Sequence, residues 1–121
     1  MVVDDETDLL EITGKILKAN GYNVHPFNKP ELAIDHIKND CMECSVVISD
    51  VRMPSMSGFE LVMNLKHLRP FMKIILMTAF KTTREEVQLV LPSVRLDAFL
   101  NKPFRSKDLM RAIAVCTAKR L

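Results

Sequence analysis

Five polar side chains stand where short apolar runs end. Asp4 and Asp5 follow Met1-Val2-Val3, Asp50 follows the run from Ser45 to Ser49, Thr78 follows Lys73 to Met77, and Lys102 follows Ala98 to Asn101. Three carboxylates gathered together repel, and a hard divalent cation relieves the repulsion. Mg²⁺ takes oxygen ligands in octahedral geometry and typically keeps several waters. A carboxylate such as Asp50 can also act as a nucleophile and form an aspartyl-phosphate, with the metal neutralising charge on the transferring group. Lys102 would supply a point charge, and the Thr78 hydroxyl a donor, to the other phosphoryl oxygens. Each residue has a plainer reading as well. Asp4 or Asp5 could cap the first helix, and Asp50 could be an Asx-turn residue. Thr78 could be an ordinary β-branched strand residue, and Lys102 a solvated surface lysine. Their recurrence at successive strand ends carries the chemical reading; no single residue does.

Those ends converge only in a suitable architecture. Short apolar runs alternate with segments of helical periodicity, the pattern of a parallel sheet covered by helices. In such sheets ligands bind outside the carboxyl ends of the strands, near where the strand order reverses. From Thr7 to Asn20, Leu9, Ile12 and Ile16, with Leu10 and Leu17 beside them, recur at helical spacing, and Gly21 stops the helix. Tyr22 to Phe27 reads as a more polar strand, and Asn28 can cap a helix to about Lys38. Ser45 to Ser49 is apolar without alternation, which predicts a central strand buried on both faces. A loop with Pro54 and Gly58 leads to a helix carrying Phe59, Leu61, Val62 and Leu65. Thr83 to Leu91 predicts a fourth helix that Pro92 stops. Ser106 can cap a last helix with Leu109, Ala112, Ile113 and Cys116 on one face.

Composition bounds the alternatives. The chain has 121 residues, 48% hydrophobic and 26% charged, which suits one folded domain over 1–121 with an ordinary core. The formal net charge of +2, with no basic block, gives no support to nucleic-acid binding. No apolar run approaches the ~20 residues of a membrane span. No secretory leader pattern is visible, so the reading places the protein in the cytoplasm. Cys41 and Cys44 form a lone pair of thiols far from Cys116. With no second Cys or His pair evident in the sequence, they read as ordinary reduced thiols without zinc.

The motifs match a family. Val2-Val3-Asp4-Asp5-Glu6, Ile48-Ser49-Asp50-Val51-Arg52-Met53-Pro54 with Met56-Ser57-Gly58, Leu76-Met77-Thr78-Ala79, and Phe99-Leu100-Asn101-Lys102-Pro103-Phe104 occur in that order. Together they resemble the receiver domain of two-component response regulators over nearly the whole chain. The resemblance implies an α/β, flavodoxin-like fold with five parallel strands in the order 2-1-3-4-5. It implies a signalling module rather than a turnover enzyme, phosphorylated by a histidine kinase or phosphotransfer protein. Asp50 matches the phosphoacceptor. Asp4 and Asp5 match the metal-binding acids, with the Arg52 backbone carbonyl as a further Mg²⁺ ligand. Thr78 and Lys102 match the switch hydroxyl and the phosphate-binding lysine, Phe99 matches the switch aromatic, and Lys102-Pro103 matches a peptide bond that is often cis. A downstream protein, an output domain or a second copy would then dock on the face made by the fourth helix, fifth strand and fifth helix.

Three features depart from the family pattern. The opening strand is short, Val94-Arg95-Leu96-Asp97 stands in place of a Gly-Ala turn, and Pro92 with the length of Phe80 to Leu96 marks an unusual fourth helix. Two rival functions remain at this point: a Mg²⁺-dependent phosphotransferase or phosphatase for small molecules, and a pseudo-receiver that only mediates contacts. The first lacks a Gly-rich phosphate loop or cap domain. The second would normally have lost an acid or the lysine.

Overall fold

A computed structural model describes residues 1–39, 44–79 and 83–117. Cys41 and Phe80 lie outside the described residues. The strands are β1 (Val2–Val3), β2 (Pro26–Phe27), β3 (Val46–Asp50), β4 (Lys73–Thr78) and β5 (Ala98–Asn101). They form one sheet in the order β2-β1-β3-β4-β5, every pairing parallel. Among the described residues, five helices fill the crossovers and the end of the fold: α1 (Thr7–Ala19), α2 (Pro30–Asn39), α3 (Gly58–Leu68), α4 (Arg84–Val90) and α5 (Ser106–Thr117).

Side chains alternate across a strand, so the central strands feed two cores. Val47, Ile74 and Leu76 point to one face, where Ala33, Ile37, Leu61, Val62, Leu65 and Val87 from α2, α3 and α4 cover them. Ile48, Ile75 and Met77 point to the other, under Leu10 and Leu17 of α1 and Leu109, Ala112 and Ile113 of α5. Burial on both faces explains why β3 and β4 read as unbroken apolar runs.

The opening strand is short yet firmly held. Val2 and Val3 are buried, and Val2 sits in register with both Pro26 and Ile48. The Met1 carbonyl accepts from the Ile48 amide at 2.9 Å, and the Met1 nitrogen donates to the Val46 carbonyl at 3.0 Å. This strand is not loose, because neighbours on both sides satisfy its backbone.

Several boundaries differ from the sequence reading. The strand expected over Tyr22 to Phe27 shrinks to Pro26–Phe27, since its partner β1 offers two residues. Helix α2 begins at Pro30 rather than directly after Asn28; a proline at the first helical position has no amide to leave unsatisfied. Ser106 is the first residue of α5 rather than its cap, and the Asp108 carboxylate instead accepts from the Arg105 amide at 3.1 Å. Ile12, counted as an apolar-face residue, is exposed, and so is Leu32 of α2.

The unusual fourth helix has a local explanation. Thr83 caps it by accepting from the Glu86 amide at 3.1 Å, and seven helical residues follow. Beyond it, the Gln88 amide group donates to the carbonyls of Leu91 and Val94 at 2.6 and 2.7 Å and accepts from the Leu96 amide at 3.3 Å. The Arg84 guanidinium donates to the Leu96 carbonyl. Leu91, Val94 and Leu96 are thereby held in the core. The segment that replaces a Gly-Ala turn ends with Asp97, whose carboxylate accepts from the Ile74 amide at 2.8 Å and whose own amide donates to the Ile74 carbonyl at 2.9 Å.

Candidate functional site

The carboxyl ends of β1, β3, β4 and β5 bring the predicted residues to one edge of the sheet. Asp50 is the last residue of β3 and is 6% exposed. Its neighbour Ser49 donates its hydroxyl to the Asp50 carbonyl at 2.9 Å. Asp4, just past β1, is 1% exposed, whereas Asp5 faces solvent. Neither acid is the N-cap of α1; Glu6 holds that position without a side-chain cap, and Asp4 accepts from the Glu6 amide at 3.0 Å.

Lys102 closes the constellation from β5. Its Nζ lies 2.9 Å from Asp4 Oδ2 and 3.0 Å from Asp50 Oδ2, with Glu6 Oε1 at 3.6 Å. The lysine side chain is itself only 7% exposed, so it is not a solvated surface residue. Its backbone amide donates to the Thr78 carbonyl at 2.7 Å, which ties the end of β5 to the end of β4. The Lys102-Pro103 bond is cis, as the family resemblance implied. Thr78 is buried at the end of β4.

The electrostatics of this cluster pull in two directions. Burial pushes the Asp4 carboxyl above its ordinary 3.8; the Glu6 amide and Lys102 pull it back only in part, and the neighbouring Asp50 charge adds to the rise. Ionising Asp4 therefore costs folding free energy as pH rises above 3.8. Burial alone would lower the Lys102 ammonium, but hydrogen bonds to Asp4 and Asp50 and their negative charge outweigh it and hold the group above 10.5.

The acids fit a hard cation. One carboxylate oxygen from each of Asp4, Asp5 and Asp50 lies within 4.8 Å of the others. Three carboxylates against one lysine leave a formal excess of two negative charges, which a divalent ion would match. Asp5 also lines a groove of about 470 Å³ with Val51, Arg52, Met53, Pro54, Ser57 and Phe59. Arg52, whose carbonyl was the expected further ligand, thus lines the same groove as Asp5. Lys102 bridges two of them, so the triad is partly compensated by the protein itself.

One contributor escaped the sequence reading. Gly58 opens α3 directly against the backbone of Asp50: a Cβ placed there would stand 2.1 Å from the Asp50 carbonyl oxygen and 2.9 Å from Val51 Cα. Its amide donates to the Val51 carbonyl at 2.8 Å. Only glycine allows this approach. The sequence signal was present in Met56-Ser57-Gly58, but spacing alone does not say what the glycine touches.

Phe99 lies within β5, half-buried and packed against the core on the α2–α3–α4 side. It lines a groove of about 370 Å³ with Phe104, Asp108, Arg111 and Val115, between β5 and α5. Leu89 and Val90 of α4 are exposed. No helix among the described residues is long and apolar enough to cross a membrane.

The chain is similar to known proteins in sequence and fold. The response regulator receiver domain family matches residues 1–114. The chain is 28% identical over 114 residues to the response regulator protein TodT of Pseudomonas putida, covering 93% of this chain and 48% of that protein. It is 26% identical over 113 residues to the response regulator SaeR of Staphylococcus aureus, covering 93% and 47%. The chain therefore spans about half the length of these curated relatives. Among solved structures it is similar to a CheY-like receiver domain protein from Methanospirillum hungatei, at 31% identity and a TM-score of 0.79, covering 93% of this chain and 86% of that one. It is also similar to the chemotaxis protein CheY4 of Vibrio cholerae, at 26% identity and a TM-score of 0.81, covering 95% and 94%. With the five-stranded order and the cluster of acids and lysine already described, the chain belongs to the response regulator receiver domain family.

Proposed function

We propose that Asp50 accepts a phosphoryl group from a histidine kinase or phosphotransfer protein and that residues 1–121 act as one phosphorylation-controlled signalling domain in the cytoplasm. The observation that carries this reading is the buried Lys102 ammonium held 3.0 Å from Asp50 and 2.9 Å from Asp4 at the carboxyl edge of the sheet. In the transfer, an Asp50 carboxylate oxygen forms a bond to phosphorus while the bond from phosphorus to the donor imidazole nitrogen breaks. The electron pair of that bond stays on the nitrogen. Mg²⁺ would be held by Asp4, Asp5, Asp50 and the Arg52 carbonyl, and would neutralise charge on the phosphoryl oxygens. Asp4, the most buried of the acids, would reach it through water.

Lys102 needs little movement to exchange carboxylate oxygens for a phosphoryl oxygen, and Thr78 sits at the neighbouring strand end to donate its hydroxyl to another. Drawing the Thr78 hydroxyl toward the phosphoryl group vacates space behind β4. Phe99 can fill it more deeply, since it carries no phenol oxygen to keep it near water. The groove it lines and the exposed Leu89 and Val90 would then change together, and a downstream protein, an output domain or a second copy would read that face. The switch is no stronger than the difference in phosphoryl contacts between the two states.

Intact mass after treatment with a small phosphodonor tests the acceptor. The chain should gain one phosphoryl group with Mg²⁺ present, and Asp50→Asn none. Equal incorporation in the variant would mean that another residue is the acceptor. The same treatment without Mg²⁺ should slow the gain; an unchanged rate would remove the metal from the mechanism. Amide hydrogen exchange with a phosphate mimic and Mg²⁺ should show changes in Arg84–Val90 and Ala98–Asn101, and changes confined to the loop after Asp50 would remove this face as the output surface.

A further inference from the structure

The opposite end of the same sheet gathers a second set of ligand side chains. His25 immediately precedes β2, His36 lies in the last turn of α2, and Cys44 stands two residues before β3. One ligand atom from each, an imidazole nitrogen from the histidines and Sγ from the cysteine, lies within 4.8 Å of the others. In a tetrahedral zinc site, with Zn–N ≈ 2.0–2.1 Å and Zn–S ≈ 2.3 Å, ligand atoms stand roughly 3.3–3.8 Å apart. Small side-chain rotations would close the remaining gap.

A second observation points to a ligand. His36 Nε2 is buried and is the one side-chain nitrogen or oxygen atom among the described residues left buried without a hydrogen-bond partner. Leaving a buried polar atom in that condition is costly, and a bound ion or an ordered water relieves it. The ring is walled by Phe27 at 5.2 Å and by His25 at 4.7 Å, the two imidazoles tilted by 39° rather than stacked flat. Cys44 is buried. A soft thiolate with two imidazoles suits zinc and similar borderline-soft transition metals, and does not suit Mg²⁺.

We propose that His25, His36 and Cys44 form a transition-metal site, occupied by Zn²⁺, that pins β2, α2 and β3 together at the amino edge of the sheet. Three protein ligands leave a fourth position for water or an added ligand. The site is separate from the acids: six residues of extended chain from Cys44 to Asp50 span ~20 Å. The proposal departs from the expectation drawn from Cys41 and Cys44 alone, which was ordinary thiols without zinc. That count found no partners for the thiols because the two histidines are distant in sequence and reach Cys44 only in the fold.

The test uses the whole reduced chain, freed of metal by chelation and kept in excess Mg²⁺ so that the acids are occupied. Zn²⁺ titrated against a chromophoric chelator should bind one equivalent and raise the thermal midpoint. Co²⁺ in its place should give a thiolate-to-cobalt charge-transfer band. His36→Gln and Cys44→Ser should each weaken zinc by roughly 100-fold or more, beyond the 10–100-fold that supporting residues of metal sites contribute, and Asp5→Asn should not. Because Cys44 is buried and its variant can misfold, the half-exposed His25→Gln provides an independent arm with the same expected loss. Zinc affinity unchanged in His36→Gln and His25→Gln would overturn the proposal. So would a cobalt spectrum without the thiolate band, one-equivalent binding that disappears in Asp5→Asn, or no binding by the parent chain in excess zinc.

Discussion

The two edges of this sheet are chemically opposite. At the carboxyl edge, Asp4, Asp50 and Lys102 form a buried, hydrogen-bonded ionic cluster with oxygen ligands and an excess of negative charge. At the amino edge, His25, His36 and Cys44 offer nitrogen and sulfur, and His36 Nε2 is buried without a hydrogen-bond partner among the described residues. A hard ion and a soft ion would sort themselves between the two by ligand chemistry alone. The difference also shows how each edge is held. The ionic cluster carries its own counter-ion, so it can persist without metal. Among the described residues, nothing at the amino edge plays that part for His36 Nε2.

Breaking the carboxyl edge through the backbone should have the largest effect. Gly58→Ala drives a methyl group into the Asp50 carbonyl oxygen, and strain of that kind costs about 3 kcal/mol. Denaturant unfolding should show the loss, and phosphoryl acceptance should fall with it even under conditions where the variant is folded. The zinc affinity of the amino edge should be unchanged in the folded fraction.

Lys102→Ala tests the internal counter-ion. It leaves Asp4 and Asp50 buried with no cation between them, and removing one partner of a buried pair costs about 3 kcal/mol. Mg²⁺ should recover part of that stability in thermal melts, more than it adds to the parent chain. The pH dependence has a definite sign. The folded-state pKa of Lys102 lies above 10.5, so its contribution is fully present below that pH and is lost as pH rises through the folded value. The stability gap between parent and variant should therefore narrow in alkali above pH 10.5. A gap that stays constant there would mean that the lysine charge is not what stabilises the cluster.

Asp5→Ala should be milder. Asp5 is exposed, so folding should be nearly unaffected, while Mg²⁺ affinity drops by about tenfold, equivalent to ~1.4 kcal/mol. A metal titration with a spectroscopic probe reads this directly, and unchanged affinity would place the cation elsewhere. The smallest effect expected is the most informative for the comparison: His36→Gln should leave the rate of phosphoryl gain at Asp50 unaltered in the absence of zinc. A slower rate would mean that the two edges are coupled through β3 rather than independent.

Much of the carboxyl edge is legible from local sequence. An unbroken apolar run can be buried on both faces, so Ser45 to Ser49 marks a central strand and Asp50 its end. The same logic identifies Thr78 at the end of β4 and Lys102 after β5, and Ala98 to Asn101 coincides with β5. Local chemistry also accounts for the fourth helix, since Thr83 caps it and Pro92 follows its end. These features depend on residues within a few positions of one another, and short-range physics fixes them.

The remainder required the fold. Whether Ile12 or Leu32 is covered depends on what lies opposite a helix face, and periodicity cannot supply that. The length of β2 was set by the two residues of β1. Gly58 shows its constraint only against the Asp50 carbonyl, and Lys102 becomes a counter-ion only when β5 lies beside the ends of β1 and β3. His25, His36 and Cys44 lie on three segments with no spacing pattern, and parallel crossovers alone bring them within 4.8 Å. The sequence by itself determined which side chains could ligate, donate or carry charge. Only the tertiary structure decided which of them met, because contact between distant segments is a property of the whole packed chain and not of any stretch within it.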